Sequence, residues 1–153
     1  MPDPVEIILP DADATLAFGA RLSALNGLIF LRGELGAGKT TLVRGYLQAL
    51  GHQGAVKSPT YTLIEPYDIG GRRILHLDIY RLADPEELEL MGVRDELGQG
   101  HTLLVEWPER AGGYFGQPDI DIELGYQDHA RRVRLQADDV NLQHTLHEVF
   151  SSM

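Results

Sequence analysis

The eight residues Gly33, Glu34, Leu35, Gly36, Ala37, Gly38, Lys39 and Thr40 constrain this chain more than any other stretch of it. They match G-x-x-x-x-G-K-[ST] in full, with the apolar run Leu28-Ile29-Phe30-Leu31 before them and a helix-forming stretch after. Glycines let the backbone turn tightly, so that successive N–H groups aim inward at a cluster of phosphate oxygens. A helix beginning near Lys39 adds the positive end of its dipole at the same spot. In such a loop Lys39 is expected to reach the β- and γ-phosphates, and the Thr40 hydroxyl to ligate Mg2+. Thr41 is placed to bond the α-phosphate.

The surrounding sequence alternates strands and helices. Strands are expected at 5–9 and 28–32, and a helix capped by Asp11 or Asp13 should run to about Leu25. The helix after the glycine loop spans Lys39 to about Leu50, with Gly51 as its stop. Residues 61–69 and 72–80 read as a hairpin around Gly70-Gly71. Asp84-Pro85-Glu86-Glu87 is a strong helix start, and that helix should stop near Gly92. Residues 102–107 form another strand. Residues 120–126 and 131–136 pair around Gln127-Asp128-His129, and Asp138 or Asp139 caps a last helix ending near Phe150. The expected class is α/β, a P-loop NTPase-like three-layer fold with a central mixed sheet flanked by helices. With 153 residues and no repeat or linker, one domain over residues 1–153 is the simplest organisation.

Composition narrows the function. A net charge of −10 argues against unaided grip on a nucleic-acid backbone, so no direct DNA binding is expected. Cysteine is absent, which removes disulfides, thiolate zinc sites and cysteine nucleophiles. No apolar run approaches the roughly 20 residues a bilayer demands. The opening MPDPVEIILP lacks a basic n-region and cleavage site, so a cytoplasmic location and no membrane are expected.

A phosphate loop needs acids across the site to hold the metal and its water, usually at strand tips. Asp78 closes 73–78 and Glu106 closes 102–106. Strand alternation puts Leu75, Leu77 and Ile79 on one face and His76, Asp78 and Tyr80 on the other. A structural His76–Asp78 contact is favoured over His76 as a metal ligand. Glu106 is assigned as metal ligand, direct or through water, and Asp78 as second metal acid or orienter of the attacking water. The two assignments are interchangeable at this stage. Between the helix after the glycine loop and Asp78, Lys57, Ser58 and Thr60 lie where a switch-like loop would sense the γ-phosphate, although Pro59 alone could make this a plain turn.

These stretches together resemble the bacterial TsaE (YjeE) family. The resemblance rests on GELGAGKTTLVRG at 33–45, KSPTYTLIEPY at 57–67, HLDIYRLADPEELELMGVRD at 76–95 and LLVEWPE at 103–109. It implies a small α/β ATPase with weak intrinsic hydrolysis, using ATP and Mg2+. It implies TsaD-like and TsaB-like partners, which form N6-threonylcarbamoyladenosine at adenosine 37 of tRNAs reading ANN codons. The transferase site would belong to the TsaD-like partner, and tRNA would be met only indirectly. By matching position, Lys39 is the loop lysine, Thr40 the metal-ligating threonine, Glu106 the metal-binding glutamate and Asp78 an aspartate needed for hydrolysis, so that Asp78, Lys39 and Glu106 make the catalytic set. Arg131 falls where the family places a nucleotide-contacting arginine, and Ala12, within 11–15, borders the adenine side through its backbone. The stretch 83–91 is a candidate contact face through Leu88, Leu90 and Met91, or an ordinary solvated helix.

Other readings remain at this point. A small-molecule P-loop kinase is compatible with the loop and with Asp78 as base, but no Arg-rich lid is evident. A GTP switch lacks any Asn-Lys-x-Asp element, and a nucleotide-gated adaptor would differ only in how slowly it hydrolyses. Arg81 and Arg44 are candidate charge-stabilising fingers. His144 and His147 share a face of the last helix, more as a surface pair than as a metal site.

Overall fold

Burial along each strand tells which faces of the sheet are covered. In the computed structural model, which describes residues 3–56, 58–59 and 62–153, β1 (Val5–Leu9) alternates buried and exposed residues. By contrast β2 (Leu28–Arg32) is buried over its first four positions and β5 (Thr102–Glu106) over all five. Continuous burial is the mark of a parallel strand covered on both sides, and alternation that of a strand with one face in water. The remaining strands are β3 (Ile64–Ile69), β4 (Arg72–Asp78), β6 (Ile120–Gln127) and β7 (Ala130–Gln136). They form one seven-stranded sheet in the order β1-β7-β6-β2-β5-β4-β3. The pairs β2–β5, β2–β6 and β4–β5 are parallel, while β1–β7, β6–β7 and β3–β4 are antiparallel. The fold is therefore α/β with a mixed sheet flanked by helices.

One face of the sheet meets α1 (Ala12–Leu22), α2 (Lys39–Ala49) and α5 (Val140–Phe150). There Ile29, Leu31, Leu104, Ile122 and Val133 pack against Phe18, Leu42, Tyr46, Leu146 and Phe150. The other face is covered only over its parallel part, by α3 (Glu86–Leu90), α4 (Val93–Gly98) and a short 3-10 turn at Pro108–Ala111. Phe30, Leu75, Leu77, Leu103 and Val105 pack there against Leu88, Val93 and Phe115.

Helices α1 and α2 touch backbone to backbone. A Cβ built on Gly19 would lie 2.0 Å from the Leu42 carbonyl oxygen, and one on Gly45 would lie 2.2 Å from that of Leu16. Only glycine permits that approach, and it ties together the two helices whose N-termini later form the site. Asp11 caps α1 by accepting from the Ala14 N–H at 2.8 Å, and Asp139 caps α5 by accepting from Leu142 at 2.9 Å. Each such cap contributes about 1 kcal/mol.

Several boundaries differ from expectation. The first helix stops at Leu22, and β4 ends at Asp78 rather than continuing to Tyr80. Trp107, expected inside the strand, leaves it: its φ of 62° and ψ of 46° are left-handed, and this turns the chain into the 3-10 helix. The helix expected to start with an Asp84 cap and Pro85 inside it starts one residue later, at Glu86 with Pro85 at the N-cap, while Asp84 accepts from Glu86 N–H at 2.9 Å and Glu87 accepts from Ala83 and Asp84. Gly92, left-handed at φ 80°, then leads into α4, which the sequence reading did not anticipate. Leu88 is fully buried and so is withdrawn from the contact face proposed for 83–91, while Leu90 and Met91 stay exposed. Among the described residues no helix is long and apolar enough to cross a membrane.

Candidate nucleotide-binding site

The loop between β2 and α2 is held open by left-handed backbone at Gly36 (φ 80°) and Gly38 (φ 108°). Side chains at these positions would be strained, and a Cβ on Gly36 would also come within 2.9 Å of the Tyr126 hydroxyl. Among the described residues, helix α2, unlike α1 and α5, has no side-chain cap at its N-terminus. Its first N–H groups need an acceptor from outside the helix, and the dipole there favours an anion.

Two acids face that helix end. Asp78 and Glu106 stand at the tips of neighbouring parallel strands and are register partners. Both lie on the same side of the sheet as α2. Thr40 Oγ1 donates to Glu106 Oε2 at 3.3 Å. Asp78 accepts from the Tyr80 N–H at 3.2 Å and from Ser58 Oγ at 3.5 Å. Lys39, Thr40, Thr41, Ser58, Asp78, Glu106 and Trp107 line one cavity of about 280 Å³ with the loop residues Leu35, Gly36 and Gly38. Burial and the repulsion of Glu106 push the Asp78 carboxyl above its ordinary range. His76 bonds not to Asp78, as expected, but to Glu106: Nε2 donates to Oε2 at 2.5 Å. The reason is register, since His76 pairs across with Leu104, two residues before Glu106 on the same face.

Lys39 is 4% exposed. Its ammonium donates to the Gly33 carbonyl at 2.5 Å and sits 3.7 Å from the centre of the Trp107 ring. Burial lowers its pKa, and Glu106 and Asp78 work against that shift. Both carboxylates and the aromatic face favour the ammonium form. Trp107 was not singled out from sequence, and its position directly after Glu106 was the only signal available.

A second cavity of about 160 Å³ opens on the other side of the loop. Its walls are Leu9 from the end of β1, Asp11, Ala12 and Thr15 from the start of α1, Gly36, Ala37, Gly38 and Thr41 from the loop and α2, and His129 and Arg131 from the β6–β7 hairpin. Ala12 and Arg131 thus meet at one place. Glu34 is exposed and lies outside both of these cavities, in a third groove with Trp107 and Tyr126. The hairpin turn proves to be Asp128 and His129 alone, with Gln127 paired to Ala130. That register sets Tyr126 opposite Arg131, whose guanidinium lies 4.3 Å over the phenol ring. Tyr126 Oη donates to the Leu35 carbonyl at 2.8 Å and Arg131 Nη2 to that of Gly36 at 3.4 Å, so the hairpin braces the loop tip. Of the switch-like loop, Ser58 borders the Asp78 cavity, while Lys57 and Thr60 lie outside the described residues. Arg44 and Arg81 line neither cavity. His147 donates to the Asp3 carbonyl at 2.8 Å, a structural tie to the chain start.

The donors fit a hard divalent cation: a hydroxyl and two carboxylates, with no sulfur. Among the described residues no group of three or more His, Cys, Asp or Glu could hold a metal by protein ligands alone.

The family model for threonylcarbamoyl adenosine biosynthesis protein TsaE matches residues 9–134, a span that takes in every site residue from Ala12 to Arg131. The chain belongs to the TsaE family. It is 45% identical over 152 residues to the tRNA threonylcarbamoyladenosine biosynthesis protein TsaE of Haemophilus influenzae, covering 94% of this chain and 96% of that one. The protein of the same name from Aquifex aeolicus is 36% identical over 137 residues, 85% and 94% of the two chains. Among solved structures, Bacillus subtilus YdiB superposes with a TM-score of 0.77 at 27% identity, over 99% of this chain and 96% of that one. In this TsaE-family chain α5 lies beyond the matched span and caps the wider core face.

Proposed function

We propose that this chain, as one domain over residues 1–153, binds ATP with Mg2+ and hydrolyses it slowly in support of tRNA threonylcarbamoyladenosine formation. On this reading it is a cytoplasmic ATPase acting on TsaD-like and TsaB-like partners, meeting tRNA only through them and leaving threonylcarbamoyl transfer to the partner. One observation carries the proposal: the uncapped start of α2, bearing Lys39 and Thr40, faces two acids on adjacent parallel strand tips.

Each residue then has a task set by its chemistry. The N–H groups of residues 33–41 and the α2 dipole bind the phosphate chain, and Lys39 moves off the Gly33 carbonyl to neutralise its far end. Thr40 and Glu106, already hydrogen-bonded, hold the metal, which supplies charge neutralisation at the phosphate oxygens. Asp78 orients water through the oxygen that it turns to Ser58, and its raised basicity suits it to take a proton there. Trp107 excludes water from the ammonium side. Arg131 and the backbone at Ala12 line the adenine side.

Titration calorimetry with ATP and Mg2+, followed by phosphate release with and without purified TsaD-like and TsaB-like partners, tests this. Heat of binding, slow release alone and altered release with partners are expected; absence of binding heat from folded protein would sink the proposal.

A further inference from the structure

Glu106 is 3% exposed and His76 is fully buried beneath it. Among the described residues, both side-chain hydrogen bonds to Glu106 arrive at one oxygen: Oε2 accepts from Thr40 Oγ1 at 3.3 Å and from His76 Nε2 at 2.5 Å. Among the described residues the other ring nitrogen, Nδ1, has no partner. A carboxylate only accepts, so Nε2 carries the proton that points at it. A buried ring that only filled space would not leave one nitrogen orphaned while aiming the other at an acid. The sheet explains the aim. His76 and Asp78 lie two residues apart on β4, and Asp78, not His76, is the register partner of Glu106. The imidazole therefore reaches diagonally to Glu106 from below, and Asp78 takes its own bonds from Tyr80 and Ser58.

We propose that His76 is a positioning residue: its Nε2–H holds Glu106 Oε2 in line with the Thr40 hydroxyl, so that both oxygen donors are set before a cation arrives. It acts through Glu106 and is not itself a ligand, because the nitrogen that faces the site is occupied by the proton it donates. The inference rests on the reading of Thr40 and Glu106 as metal ligands.

Mn2+ binding in the presence of ADP, followed by electron paramagnetic resonance, separates the two ideas in wild type, Glu106→Gln, His76→Gln and His76→Asn. Glutamine can present an N–H close to the place of Nε2, whereas asparagine stops short of it. The Asn variant should bind Mn2+ about ten- to a hundredfold more weakly, as loss of a partner that orients a ligand does, and the Gln variant within about threefold of wild type. ADP binding without metal should be equal in wild type and the two His76 variants. If Asn and Gln both bind Mn2+ like wild type while Glu106→Gln does not, His76 does not position Glu106. If both are weakened alike, the ring only fills space, and the inference is equally overturned. If Glu106→Gln binds like wild type, the ligand assignment itself falls, and the inference with it. Should the Asn variant fail to fold, nitrogen-15 histidine spectra of the wild type decide the matter. A proton on Nε2 in a strong hydrogen bond supports the role, and an unprotonated Nε2 overturns it.

Discussion

Strands β2, β5 and β4 are parallel and covered on both faces; β1, β7 and β6 present alternate residues to water. The two halves contribute different things to the cleft. Parallel neighbours end at the same edge, so Asp78 and Glu106 emerge side by side, buried, with α2 above them. Antiparallel neighbours end at opposite edges, so the other half delivers a hairpin tip instead, and with it Tyr126, His129 and Arg131. The first half concentrates charge where water is scarce and Coulomb terms are large. The second leaves exposed pairs such as Arg132–Glu6 at 2.9 Å, which contribute at most about 1 kcal/mol. Chemistry is thereby expected from the parallel half, and fit around the ligand from the antiparallel half.

That division can be broken experimentally. Asp78→Ala should cut hydrolysis by about 10²–10⁴-fold, the usual worth of a positioned base, with nucleotide affinity nearly unchanged. Phosphate release at wild-type rates would remove Asp78 from the chemistry. Lys39→Ala should weaken ATP binding by about 10–100-fold, since a hydrogen bond to a charged group contributes about 1.5–3 kcal/mol; calorimetry reads this directly.

Gly45→Ala tests what holds the halves in place. Alanine is the better helix former by about 1 kcal/mol, yet its Cβ would strike the Leu16 carbonyl at 2.2 Å. Overpacking costs about 1–3 kcal/mol and here meets rigid backbone, so denaturant melts should show net destabilisation. Arg131→Ala, on the antiparallel side, should cost only a few-fold in affinity and leave the hydrolysis rate of bound ATP alone. A large rate loss would erase the contrast between the halves.

The smallest effect is one of stability. Burial and Glu106 raise the Asp78 carboxyl above its ordinary 3.8, so its ionised form is penalised in the folded protein. The penalty is absent below that ordinary value and grows as pH climbs through the raised one. Asp78→Asn should therefore melt higher than wild type at neutral pH without nucleotide, with a gain that shrinks as pH falls toward 3.8. An equal gain at every pH would show that the carboxylate's charge is not the cause.

Much of this arrangement was legible beforehand. Glycine spacing, an apolar run ending in an acid, and Asp or Pro before helical stretches are local signals, and they located the loop, β2, β5, α1, α2 and α5 to within a few residues. Local signals fail where a bond spans the sheet. The partner of His76 depends on which strand lies beside β4, and strand order is not written in any one segment. Trp107 reads as a strand residue by composition, but its left-handed backbone and its place over Lys39 come from the chain turning away at the sheet edge. The Tyr126–Arg131 pair depended on whether the hairpin turn held two residues or three, a shift of one position that changes every cross-strand partner.

By itself, the order of residues determined that a glycine-rich loop joins an apolar strand to a helix and that carboxylates close two apolar strands, because backbone conformation and side-chain chemistry act over a few neighbours. Only the tertiary structure decided that Asp78 and Glu106 stand together, that His76 serves Glu106, and that Gly19 and Gly45 let two helices lock the cleft. Those contacts join residues 23 to 30 positions apart. They form only when burial of both sheet faces selects one packing among many.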